Sequence, residues 1–302
     1  MSFSSDTKTE LCRQSFGGKC CAVAECYGIL LYCNTFMENG IKIVTENHAF
    51  AKRLPKLFKK AFGFAFDKYP ENTDQPGKFI FSIMQTEKLD RVFAIYGYER
   101  QGVLAHHVNF GMLEEDCCRQ SFMRGAFLAG GSVIDPQKRY HLELVTAHFN
   151  VSKEAFSLLL DMGFEPKNTS RHGSYITYFK KSETITDFLT TIGAPIASME
   201  IMSTKITKGM YNSVNRRVNC DTANVTKTVD AASAQIQAVR RLKERVGLEY
   251  LPDKLQETAL LRLLNPELSL SQLAALSDSP VTKSCLNHRL KKLIELAEKS
   301  EI

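Results

Sequence analysis

The stretch TKSCLNHRLKKL (282–293) carries side chains suited to reading a polyanion. Placed on a helix at 100° per residue, Leu286, Leu290, Leu293 and Ala297 fall on one face. Ser284, Asn287, His288 and Lys291 fall opposite, with Arg289 and Lys292 on the flanks. An asparagine amide matches the donor and acceptor edge of adenine, and Lys or Arg matches guanine or phosphate. The first residues of a recognition helix reach the bases, which singles out Thr282, Lys283, Ser284, Asn287 and His288. Lys291 and Lys292, further along, suit phosphate contact. A second group, Arg216 and Arg217 among Asn212, Asn215 and Asn219, offers a further anion contact. The same residues would also serve as the solvated face of a small helical interaction domain.

The elements that must position the 282–293 stretch are short helices. LPDKLQETALLRLLN (251–265) places Pro252 in a favoured first turn, stops before Pro266, and carries an apolar stripe of Leu255, Ala259, Leu260 and Leu263. In SLSQLAALSD (269–278), Ser269 and Gln272 have capping-box spacing. A break at Ser279 and Pro280 precedes the third helix, VTKSCLNHRLKKLIELAEK. Three short helices with a tight second turn predict a helix-turn-helix. Residues 210–247 read as a polar, asparagine-rich lead into a long helix, capped by Asp221 or Thr222 and ended by Gly247. Arg240, Arg241, Lys243 and Arg245 crowd its end, where cations also favour the helix dipole.

Charge follows this division. Of a net +6, residues 205–302 hold +5, from 16 Lys and Arg against 11 Asp and Glu. That concentration favours an anionic partner for the C-terminal third. No signal peptide and no run of 18 apolar residues is evident, so neither secretion nor a membrane span is expected. Nine cysteines, without C-x-x-C pairs at metal spacing, read as reduced thiols in a cytoplasmic protein. No metal and no cofactor is called for.

The first two hundred residues repeat. CCAVAECYGILLYCN starts at Cys20 and CCRQSFMRGAFLAGG at Cys117, each with a glycine eight residues later (Gly28, Gly125). Residues 44–64 resemble 145–164, with His48 and His148 in step, and 87–97 resemble 183–193. A period near one hundred is too long for a solenoid and fits two fused halves. Each half reads as helix, strands, helix, strand, helix, giving an α+β pseudo-two-fold domain over 1–204 with halves of about 1–105 and 106–204. A linker with a long basic helix (205–247) and an all-α domain (248–302) follow. Glycine costs a helix roughly 1 kcal/mol relative to alanine. The cost is offset if Gly28 and Gly125 face each other where the repeated helices meet, with Ala129 packing on the same axis.

CYGILLYCN and MRGAFLAGG resemble degenerate LAGLIDADG helices of homing endonucleases. The resemblance implies packing on the domain axis and, at the eighth position, an acid that holds a divalent metal. Here that position is Cys33 in one copy and Gly130 in the other. A hard cation wants oxygen ligands, and the nearest acids, Glu25, Glu38 and Asp135, are off register. Cleavage of DNA is therefore not expected. The whole chain is similar to the WhiA family of bacterial DNA-binding regulators, through RGAFLAGGSVIDPQKRYHLEL (124–144), NSVNRRVNCDTANVTKT (212–228) and TKSCLNHRLKKL (282–293). That resemblance implies a catalytically dead endonuclease domain joined to a helix-turn-helix. It further implies double-stranded DNA as partner and a role in cell division, chromosome segregation or sporulation at the nucleoid. It leaves room for a second transcription factor or RNA polymerase as a further partner. The rival readings are a metal-dependent endonuclease and a non-specific nucleoid or protein-interaction module.

Overall fold

The computed structural model describes residues 2–73, 75, 77–100, 105–277 and 281–299. The chain forms two compact units, Met1–Lys208 and Gly209–Ile302.

In the first unit, α1 (Phe3–Leu11) precedes the two repeats. The first repeat runs α2 (Lys19–Tyr32), β1 (Thr35–Met37), β2 (Gly40–Thr45), α3 (His48–Phe62), β3 (Phe79–Ile83) and α4 (Thr86–Ile95). The second runs α5 (Asp116–Gly130), β4 (Gly131–Val133), β5 (Leu142–Thr146), α6 (Phe149–Asp161), β6 (Lys167–Arg171), β7 (Ser174–Phe179) and α7 (Ser182–Ile192). The sheets are antiparallel with strand orders β1-β2-β3 and β4-β5-β7-β6. The expected α+β repeat is present. The extra strand β6 gives the second sheet a wholly exposed polar edge.

Helix α2 is buried on every side from Cys21 to Tyr32, as a helix at the centre of a core must be. Its neighbour is α5. A Cβ on Gly28 would lie 2.0 Å from the Phe122 carbonyl oxygen, and one on Gly125 2.0 Å from that of Glu25. The two glycines do not face each other, as the sequence suggested. Each is set against the backbone of the opposite helix one turn before the other glycine, because parallel partners related by a two-fold interleave. Ala126, whose backbone nitrogen lies 2.7 Å from that Cβ position on Gly28, takes the seam position assigned to Ala129. Ala129 is half-buried at the end of α5, on the wall of a groove shared with Lys8 and Asn34.

Charges are also locked into this seam. Glu25 is fully buried and receives Arg53 Nε (2.6 Å) and Nη2 (2.8 Å) and, from α5, Arg124 Nε (3.1 Å). Arg53 also donates to the carbonyls of Cys12 and Gln14, and Arg124 to that of Ile192. The remaining guanidinium donors thus find partners, which a buried ion cluster requires. At the pseudo-symmetric place, Tyr27 meets Phe122 edge-on, with centroids 5.6 Å apart.

Helix α8 (Pro195–Arg245) runs 51 residues without interruption, so the lead and cap expected before Asp221 or Thr222 are absent. Pro195 occupies the first turn, where its missing N–H costs nothing. The buried Glu10 carboxylate accepts the N–H groups of Ile196 (2.7 Å) and Ala197 (2.9 Å). Beyond Pro195 the helix holds no proline, and its one glycine, Gly209, is tolerated. Over 209–231 every residue is exposed, so intrahelical hydrogen bonds alone hold that stretch.

In the second unit, the end of α8 packs with α9 (Asp253–Leu264), α10 (Leu270–Ala275) and α11 (Lys283–Lys299). Ala238, Val239 and Leu242 share one core with Leu255, Ala259, Leu273, Leu286, Leu290, Leu293 and Ala297. A boundary at 248 therefore cuts through this core, and the last turns of the long helix belong to the C-terminal domain. Gly247, at φ +86°, ends α8 by donating to the Leu242 carbonyl. Leu260, expected in the stripe on α9, is 45% exposed, and Thr258 and Arg262 take buried places instead.

Candidate nucleic-acid interface

Helix α11 buries Leu286, Leu290, Leu293 and Ala297 and turns its polar residues outward. The capping box on α10 forms as spaced: Ser269 Oγ accepts from Gln272 N–H (3.4 Å), and Ser269 N–H donates to Gln272 Oε1 (2.9 Å). The break expected at Ser279 and Pro280 lies outside the described residues. α11 itself begins at Lys283, and Thr282 is its cap, with Oγ1 accepting the N–H of Cys285 (3.2 Å). The Thr282 hydroxyl is thus committed first to the helix end.

Lys283, Ser284, His288, Lys291 and Lys292 are exposed, and Asn287 is half-buried on the flank. Arg289 is drawn away from this face. Its side chain is 14% exposed and its guanidinium lies 4.0 Å from Glu257 on α9. Glu257 in turn accepts from Ser277 Oγ (3.0 Å). Arg289 is therefore turned toward α9, its buried Nη1 facing Glu257 without a hydrogen bond, and is not placed to read bases. Arg262 is likewise turned inward, donating to the Leu268 carbonyl (2.6 Å). Sequence spacing put Arg289 on the flank correctly but carried no signal for Glu257, which lies on another helix.

The exposed face changes sign along its length. It is cationic or neutral from Lys283 to Lys292 and acidic at Glu295 and Glu298. Ten residues span about 15 Å of helix, on the scale of a DNA groove width. Only this N-terminal part presents to a polyanion.

On α8, Asn212, Asn215, Arg216 and Asn219 fall on one face at 100° per residue, all exposed. Arg217 is turned 100° from Arg216 and lies with the apolar Met210, Val214 and Val218. The expected pair is thereby split, because the segment is helix rather than loop.

The carboxyl ends of α2 and α5 hold the positions where the endonuclease pattern has its acids. Cys33 Sγ lies 3.2 Å from the carbonyls of both Leu30 and Thr35, and burial pushes its thiol up to about 12. It is a neutral thiol at ordinary pH. A Cβ at Gly130 would come 2.4 Å from the Val145 carbonyl oxygen, so even alanine does not fit there unaltered. Glu25 is sealed by two arginines. Asp135 accepts a turn N–H from Gln137 (2.8 Å), and Glu38 is exposed at the β1–β2 hairpin. Neither motif position therefore supplies a carboxylate for a hard cation, although Glu46 lines the neighbouring groove with Asn34 and Ala129.

Comparison with known proteins places both units. The WhiA LAGLIDADG-like domain matches residues 119–211, and the WhiA C-terminal HTH domain matches 214–297. A "probable cell division protein WhiA" of Ruminiclostridium cellulolyticum is 37% identical over 99% of this chain and 98% of its own length. The chain belongs to the WhiA family. Another WhiA relative, from Alkaliphilus oremlandii, is 38% identical over 99% of this chain and 98% of its own. The full-length DUF199/WhiA crystal structure from Thermatoga maritima aligns with TM-score 0.60 at 26% identity, over 99% of both chains. The isolated N-terminal LAGLIDADG domain of DUF199/WhiA aligns at TM-score 0.50 and 21% identity, over 64% of this chain and 92% of that one, and supports the fold alone. Among the described residues no helix is long and apolar enough to cross a membrane. The WhiA HTH match begins at 214, inside α8, in agreement with a C-terminal core that includes the end of that helix.

Proposed function

We propose that this WhiA-family chain is a sequence-specific, double-stranded-DNA-binding transcriptional regulator acting in cell division, chromosome segregation or sporulation, and that it does not cleave DNA. The observation that carries the reading is α11. Its apolar face is fixed in a helical core, its N-terminal ten residues present Lys283, Ser284, His288, Lys291 and Lys292, and Asn287 stands at the edge. In this reading Asn287 and Ser284 contact base edges, and Lys291 and Lys292 contact phosphate. Arg216, with its three asparagines, adds a second backbone contact. The absence of cleavage is supported by Cys33 and Gly130, one held as a thiol and the other too crowded for a side chain. The working place of such a protein is the nucleoid in the cytoplasm, and a second transcription factor or RNA polymerase is a natural further partner.

The test is to incubate the chain with sheared genomic DNA and magnesium, then sequence the retained fragments and their ends. The expected result is a recurrent motif with intact strands. On that motif Asn287→Ala lowers the preference over random DNA, whereas Lys291→Ala weakens both alike and reduces the salt slope by about one. Retention without a motif would replace this reading with a non-specific nucleoid module, and fresh ends within a motif would restore the nuclease.

A further inference from the structure

The two cysteine pairs of the repeat are 97 residues apart in sequence and together in space. Both lie in the first turn of their helices, α2 and α5, whose N-termini meet at the seam. The Sγ atoms of Cys20, Cys21 and Cys118 all lie within 4.8 Å of one another, with Cys20 and Cys21 4.0 Å apart. Cys117 faces Cys21, and Cys118 faces Cys20, across the axis. Four thiols thus converge where the helix termini bring two sets of unsatisfied N–H groups and two positive dipole ends.

We propose that Cys20, Cys21 and Cys118, with Cys117 as the fourth ligand, form a binding site for a thiophilic, tetrahedral divalent cation of the zinc class. A zinc ion with Zn–S bonds of about 2.3 Å separates its sulfurs by about 3.8 Å. Among Cys20, Cys21 and Cys118 the present spacings require a contraction of at most about 1 Å, within reach of side-chain rotation, and Cys117 must swing in to complete the tetrahedron. No oxygen or imidazole ligand takes part, so the site rejects magnesium and calcium. It lies at the opposite end of the helix pair from Cys33 and Gly130, one helix length of about 20 Å away. It is therefore separate from the lost endonuclease position.

Burial fits such a site. Cys21 and Cys118 are buried while Cys20 and Cys117 are exposed, which gives two anchored ligands and an entry side. Burial pushes the Cys21 thiol up. Hydrogen bonds from Cys117, the Gly18 backbone, Cys20 and Ser121 outweigh that and bring it below its ordinary value. The hydrogen bond with Cys21 instead raises Cys117, and burial followed by the Cys20 contact raises Cys118, so that a cation must displace their protons to bind. A bound ion would join α2 to α5, and so one half of the domain to the other, at the end where Gly28 and Gly125 do not reach. Sequence inspection passes over the site because neither pair alone has metal spacing; only the pseudo-two-fold assembles it.

The experiment uses the full-length reduced chain titrated with cobalt(II) alone, then with zinc. The expected result is a thiolate charge-transfer band and intense visible bands of tetrahedral cobalt, saturating at one ion per chain and removed by zinc. Cys20→Ser and Cys117→Ser, at exposed positions that leave the core intact, weaken cobalt binding, Cys20→Ser by roughly a hundredfold, at the upper end of the loss that removing even a supporting outer-shell residue causes. Cys118→Ser abolishes the bands, and Cys12→Ser leaves them unchanged. Zinc raises the melting temperature of the parent chain and not that of Cys20→Ser. Octahedral spectra, a stoichiometry other than one, or bands indifferent to Cys20→Ser would overturn the proposal. So would a reduced chain that binds no cobalt and whose four thiols instead form disulfides in air.

Discussion

Gly125→Ala sets two effects of known size against each other. Alanine stabilises a helix interior by about 1 kcal/mol relative to glycine. Against that, its Cβ would stand 2.0 Å from the Glu25 carbonyl oxygen and 3.0 Å from the Ile29 nitrogen, where ordinary contact begins at 3.4 Å. The shortfall of 1.4 Å (3.4 minus 2.0) is against backbone, which no rotamer change relieves. Helices α2 and α5 must part along a seam that buries nearly all of α2. Overpacking of this kind costs about 1–3 kcal/mol and more where backbone must shift, and the parted seam also weakens the Glu25–Arg124 pair. We expect a net loss of about 2 kcal/mol or more, a fall of about 4–8 °C for the first unit. Gly209→Ala is the control, since nothing lies within 4 Å of its Cβ position. There only the propensity gain remains, and the second unit should be stabilised by up to about 1 kcal/mol. Calorimetry of both variants, with amide exchange assigning the transitions, reads the two signs. A neutral or stabilising Gly125→Ala would refute the idea that the glycine serves close approach.

Glu25→Gln should destabilise the first unit by about 3–5 kcal/mol, because two buried guanidinium groups lose their counter-charge; urea denaturation measures it, and a loss under about 1 kcal/mol would mean water compensates them. Arg289→Ala should lower the stability of the C-terminal unit, while a folded fraction should retain its preference between DNA sites, as binding corrected for folded protein will show. Burial, together with the neighbouring His106, lowers His148 to about 4 from its ordinary 6.5. The unfolded chain therefore takes up the proton first: the stability is fully present above about pH 6.5 and drains away toward pH 4. His148→Gln should flatten that part of the pH profile of melting temperature, and an unchanged slope would assign the acid sensitivity elsewhere.

Some of this architecture is visible in the residues and some is not. The repeated CC and glycine spacing, the terminal glycines Gly163 and Gly247, and the Ser269–Gln272 box depend on local geometry, so spacing reveals them. The seam register does not, since a two-fold pairing of Gly28 with Phe122 involves residues far apart in sequence. Helix α8 misled because asparagine, threonine and valine are weak helix formers, and Asp221 and Thr222 are good caps. Without a proline or tertiary competitor, continuation from Pro195 prevails. On α11 the buried face followed from periodicity, while the diversion of Arg289 depended on Glu257, fixed only by the packing of α9.

The seam also records how far the two halves have diverged. Glu25 and Arg124 stand at positions whose counterparts, at the offset of 97, are Phe122 and Tyr27. One flank of the axis is ionic (Glu25 with Arg124, 3.1 Å), and the mirror flank is aromatic (Tyr27 with Phe122, 5.6 Å). A homodimer cannot hold that arrangement, since identical subunits would repeat the same pair on both sides. Two copies of the first half would set Glu25 against Tyr27 twice, and two copies of the second would set Phe122 against Arg124 twice. Within one chain each half is instead complementary to the other. The approximate two-fold is thus asymmetric at its own axis, and each half offers the other side chains that a copy of itself would not match.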